Sequence, residues 1–162
     1  MSRSNRNVHI SLLIALSGDL AYEIWMLDNL KDALSSERSI PVWLNNCLIE
    51  SFAIHARVLI EFFYGHGSKP NDARSTDYVT VESLRSHPRP RESSVLKEVR
   101  NRTGYQVSHL SYSRTDVRAE NKEWNYIAAW QEIDKLIRWF VCCAEPGCLG
   151  TDFRKIIKKR HD

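Results

Sequence analysis

No stretch of this chain approaches the run of about 18 consecutive apolar residues that marks a membrane-spanning helix, so the sequence predicts no span. The four cysteines, Cys47, Cys142, Cys143 and Cys148, contain no CxxC pair. Adjacent Cys142 and Cys143 would diverge by about 100° on a helix, so neither a zinc cage nor a disulfide framework is expected. Reduced, mostly buried thiols of a cytoplasmic protein are the expectation. With only 6 glycines, the chain has no glycine-rich phosphate loop, and no segment repeats. No metal and no cofactor is implied.

What is present describes a single soluble domain. The 162 residues, 43% apolar and 27% charged, suffice for a sizeable core and exclude a disordered chain. Net charge is only +3, which does not by itself indicate nucleic acid. Its distribution is uneven. From Arg85 to Arg118 eight basic residues face three acids, Glu92, Glu98 and Asp116. A second basic run, Arg154, Lys155, Lys158, Lys159 and Arg160, is expected to form a frayed, solvated tail over about residues 150–162.

Arg3 and Arg6 precede the short apolar run Ile10 to Leu16, and Ala15-Leu16-Ser17 before Gly18 resembles a leader cleavage site. Helical spacing argues against a leader: Leu13, Leu16, Leu20, Leu27, Leu30 and Leu34 continue one stripe across the supposed cut. A second helix is predicted from Trp43 to Gly65. It has a polar stripe of Asn46, Glu50, Arg57 and Glu61, and is expected to be buried over most of its circumference. On it His55 falls on the apolar side as a hydrogen-bonded core histidine, and Arg57 and Glu61 form an i,i+4 pair. Residues 65–94 read as a long irregular connection with Pro70, Pro88 and Pro90. Within it Asp77 to Leu84 offers only a short β-like or helical turn. Further helices are predicted over about Ser93–Tyr112 and Asn121–Cys143, the latter stopped by Pro146-Gly147. The sum is an all-α bundle of four or five helices. His9, His66, His87 and His161 carry no specific message.

The segment RNRTGYQVSHLSYSR, Arg100 to Arg114, concentrates three arginines, two tyrosines and a histidine. On a helix, Leu96, Val99, Thr103, Val107 and Leu110 form a core stripe, whereas Arg102, Tyr105, His109 and Tyr112 share the opposite face. Arg102 and His109, two turns apart, could then touch one ligand. Such a pair suits phosphodiester chemistry. An imidazole exchanges a proton with a ribose 2′-hydroxyl or the leaving oxygen while a guanidinium holds the phosphate, and no metal is needed. The commoner reading of a helix face with these residue types is a solvated surface or a subunit contact.

The combination of IESFAIHARVLIEFFYG, VSHLSYSR and NKEWNYI resembles small bacterial proteins grouped with the HEPN-like helical bundles, over about Trp43 to Phe140. HEPN nucleases carry an Arg, then four to six residues, then His. Arg102 and His109, with six residues between them, match that pattern. The resemblance implies a homodimer whose Arg/His elements meet across the interface in a composite, metal-independent RNA-cleaving site of the toxin or phage-defence type. His109 would be the general acid/base and Arg102 the phosphate clamp. Tyr105, Tyr112, Arg114 and Arg100 would supply stacking and backbone attraction. Thr103 stands where many active members have a polar residue such as Asn, and Gly104 lowers helix propensity inside the motif. Many HEPN-like proteins bind RNA or a protein partner without cutting. The departures place such an RNA-associated or partner-binding domain ahead of a ribonuclease.

Overall fold

The computed structural model describes residues 8–37, 39–66, 69–108 and 123–161. It is all-α, with no strand among the described residues. Six α-helices follow in order among the described residues: α1 Ile10–Ser35, α2 Val42–Tyr64, α3 Val81–Ser86, α4 Ser94–Arg102, α5 Tyr126–Cys143 and α6 Thr151–His161. A π-helical turn, Thr103–Ser108, extends α4 directly.

Helix starts follow capping chemistry. Thr80, Ser93 and Asn125 accept from the backbone N–H groups of Ser83, Leu96 and Ala128, at 3.1, 3.3 and 3.0 Å, and so satisfy donors that the first helical turn leaves unpaired. Helix α2 ends at Gly65, whose φ of 72° places it in the left-handed region that glycine enters without steric cost.

Helix α1 packs on α2, α5 and α6, and α2 also contacts α4 and α5. Leu13, Leu20, Leu27 and Leu30 of the predicted stripe are buried, together with Ile24. Phe140 of α5 sits among Phe62, Phe63, Tyr78 and Phe153, with ring centroids 5.5, 6.0, 5.5 and 5.9 Å away in edge-to-face arrangements. By length and composition α1 could cross a membrane, although its sequence has no unbroken apolar run. In this fold it is a packing element. The Tyr78 hydroxyl donates to the Leu13 carbonyl, and the Gly150 N–H donates to Ser17 Oγ at 2.7 Å.

Four expectations need correction. The basic C-terminal run is helical and docked rather than frayed: Phe153 and Ile157 are buried, and the Arg160 guanidinium bridges Asp28 and Asp134. The seemingly solvated charges of α6 conceal an apolar face. Helix α2 is less enclosed than predicted, because Trp43, Ile54 and Val58 remain exposed on a flank that no other described element covers. The connection after α2 carries more structure than its prolines suggest. A 3₁₀ turn at Ser75–Asp77 leads to a single antiparallel bridge between Val79 and Ala144, and α3 follows. Of the thiols, Cys143 and Cys148 are buried but Cys47 and Cys142 are exposed, so burial holds for half of them.

Candidate functional site

Helix α4 and its π-turn position the residues that sequence reasoning singled out. Leu96, Val99 and Thr103 of the apolar stripe are buried, as predicted. The Thr103 hydroxyl donates to the Val99 carbonyl at 2.7 Å, which lets a polar side chain sit in the core. On the opposite face, Arg102 does not follow the prediction. Arg102 was expected to point outward, yet it is only 6% exposed.

The surroundings of Arg102 explain this burial. Its Nε donates to Gln106 Oε1 at 3.2 Å, and Nη1 donates to Glu98 Oε1 at 3.1 Å and to the Glu123 carbonyl at 2.9 Å. The guanidinium carbon lies 4.4 Å from the centre of the Trp124 ring, a cation–π stack. A planar fork with five donors satisfies several acceptors at once, which permits a cation to be buried here. The bonds have a topological consequence. Gln106 precedes the stretch 109–122 and Glu123 follows it, so Arg102 ties together the two ends of the segment that carries His109. Glu98 and Gln106, four residues before and after Arg102, were visible in the sequence as i,i+4 partners. Trp124 gave no such indication.

His109, Tyr112 and Arg114 lie outside the described residues. Tyr105 is half-buried on the π-turn. Arg100 points elsewhere: its Nε is 3.4 Å from Glu92 Oε1. The other Glu92 oxygen is 3.0 Å from His66 Nε2, so this largely buried carboxylate gathers two groups the sequence left unconnected. Arg89 is also turned inward, donating to the Phe63 carbonyl and stacking over Tyr64 at 4.9 Å. Of the described cations in the basic stretch, Arg85, Arg91 and Lys97 are exposed, whereas Arg89, Arg100 and Arg102 engage groups of their own chain. The outward positive charge is therefore smaller than composition suggests.

On α2, His55 behaves as predicted. It is mostly buried, with Nδ1 2.7 Å from Glu23 Oε2. The Arg57–Glu61 pair also forms, at 2.7 Å. No group of histidine, cysteine and carboxylate side chains suited to holding a metal occurs among the described residues. Compared with protein-family models, curated proteins and solved structures, the chain matches none.

Proposed function

We propose that this chain is a HEPN-like domain that associates with RNA or a protein partner through the end of α4, and that Arg102 organises this surface rather than cutting RNA. The observation that carries the reading is the buried setting of Arg102, with Nε and Nη1 engaged by its own chain. A guanidinium that stabilises a phosphoryl transition state must offer its N–H groups to phosphate oxygens. Here Nε and Nη1 are spent on Gln106, Glu98 and the Glu123 carbonyl, under the face of Trp124. Spending them so supports a positioning role, with Arg102 setting how the segment containing His109 leaves α4 and returns before α5. Exposed Arg85, Arg91 and Lys97 offer phosphate-attracting charge nearby in sequence. The homodimer that accompanies this reading has apolar surface available to it: Tyr22 and Trp25 on α1, and Trp43 and Ile54 on α2, are exposed.

The spacing from Arg102 to His109 keeps the metal-independent ribonuclease as the competing reading. The test incubates purified protein with labelled single-stranded RNA and tRNA in excess EDTA, beside a His109→Ala variant of equal thermal stability, while anisotropy records binding. Salt-sensitive binding without cleavage by either protein is the expected result. Cleavage by the parent that the variant loses would replace the binding reading with a ribonuclease using His109 as acid/base.

A further inference from the structure

We infer that the cleft between α1, α2 and the 3₁₀ segment is a binding site for a small organic cation, an ammonium or guanidinium carried on an apolar body. The cleft has a volume of about 430 Å³, within the roughly 300–1,000 Å³ range of small-ligand sites. Its apolar lining comes from three parts of the chain: Leu16 and Leu20 of α1, Leu59 and Phe62 of α2, and Tyr78 beyond the 3₁₀ turn. Leu20, Leu59 and Tyr78 are buried, so these walls are preformed by the core itself. The Tyr78 hydroxyl is committed to the Leu13 carbonyl at 3.0 Å, which leaves the ring as its contribution to the wall.

The polar lining selects the ligand's charge. Asp19, Glu23, Glu61 and Asp72 contribute carboxylates, and among the described residues no lysine or arginine lines the cleft although the chain as a whole is basic. His55 engages one oxygen of Glu23, and Arg57 one oxygen of Glu61. An ionised carboxylate has about four acceptor sites, so both can accept a further donor. No cation pairs with Asp19 among the described residues. His66 completes the rim, with its Nε2 against Glu92. An anion would meet repulsion here, and a neutral ligand would gain no ion-pair attraction from the carboxylates. A cation with an apolar body meets both kinds of lining, and its hydrogen bonds to the carboxylates are charge-assisted. RNA phosphates are excluded by the same charge, so the site is separate from the surface at the end of α4.

The experiment uses three probes of similar size on the full chain: phenethylammonium, neutral 2-phenylethanol and anionic 3-phenylpropanoate. Amide NMR shifts and calorimetry report binding. The expected result is that phenethylammonium perturbs the amides of Leu20, Leu59 and Ala73 and binds at least tenfold more tightly than the alcohol, while the anion leaves them unmoved. Asp19→Asn combined with Glu61→Gln should weaken the ammonium at least fivefold. Val58→Trp, at an exposed position on the rim, should block it without touching the core. Equal binding of ammonium and alcohol, no response to any probe, or ammonium binding undiminished in both variants would each overturn the assignment. None of these outcomes alters the RNA test.

Discussion

A buried arginine is costly unless its donors are matched, and Arg102 shows how unequal the matching partners are. Glu98 is mostly exposed, so its ion pair is screened by water and salt. The Glu123 carbonyl and the Trp124 face are where losing the guanidinium would be felt. Arg102→Ala is expected to cost roughly 2–4 kcal/mol in urea unfolding, from unpaired acceptors and the lost cation–π stack. Glu98→Gln should cost less than about 1 kcal/mol. If Arg102→Ala instead left stability intact and removed only RNA binding, Arg102 would be a ligand contact and not an organiser. Tyr64 offers a second check at this scale. Burial pushes its pKa from 10.0 up to about 12, with Arg89 opposing the shift and Glu92 and Glu132 adding to it. Its hydroxyl donates to the Pro90 carbonyl at 3.1 Å. A folded pKa above the unfolded value means that the stability linked to the protonated phenol is complete below pH 10 and is lost as pH rises towards 12. A 295 nm titration should therefore show fewer late-ionising tyrosines in Tyr64→Phe than in the parent. If the two native curves showed the same late ionisation, burial of this phenol would not be perturbing it.

Among the elements, two glycines with opposite surroundings test the packing. At Gly104, in the π-turn, an added Cβ would meet, among the described residues, only Arg57 Nη1 at 3.5 Å, an ordinary contact with the end of a flexible side chain. Gly104→Ala should raise stability by about 0.4–1 kcal/mol through the reduced freedom of the unfolded chain. At Gly150 the Cβ would lie 3.0 Å from both the Ile14 carbonyl oxygen and Ser17 Oγ, and the first of these is helix backbone that cannot swing aside. Gly150→Ala should cost roughly 1–3 kcal/mol. Thermal melts of the pair, shifting in opposite directions, would verify both. The elements themselves were largely legible in the sequence, because leucine and aromatic spacing records which face of α1 and α5 is buried. Arg102 was not. Helical phase placed it opposite Val99 and Leu96, but the phase of one helix does not reveal that Trp124, from a distant part of the chain, covers that side. The cleft between α1 and α2 was hidden for the same reason. Its carboxylates come from separate elements, and of them the sequence singled out only Glu61, as the partner of Arg57.

For the molecule as a whole, the question is whether α6 is an appendage or part of the cooperative unit. Its composition, rich in lysine and arginine, suggested the former, yet three attachments hold it. Phe153 is 1% exposed against Phe140, Ile157 is buried, and Arg160 bridges α1 and α5 through Asp28 and Asp134. Trp130 reinforces the last of these, donating from Nε1 to the other Asp28 oxygen at 2.7 Å, so both oxygens of that carboxylate are engaged. The ion pairs carry less of the energy than the side chains beneath them, since part of their Coulombic gain offsets desolvation. Loss of a buried phenylalanine costs about 3–5 kcal/mol and of a buried isoleucine about 2–5 kcal/mol when the cavity does not collapse. Together these match the roughly 5–15 kcal/mol that keeps an ordinary domain folded. Removing residues 151–162 is therefore expected to abolish cooperative unfolding, leaving an expanded state that binds an apolar dye such as ANS. Arg160→Met, which keeps the apolar stem and removes the charge, should retain a cooperative melt with a modestly lowered midpoint. A truncated chain that melted as sharply as the parent would show α6 to be an addition to a core that closes without it.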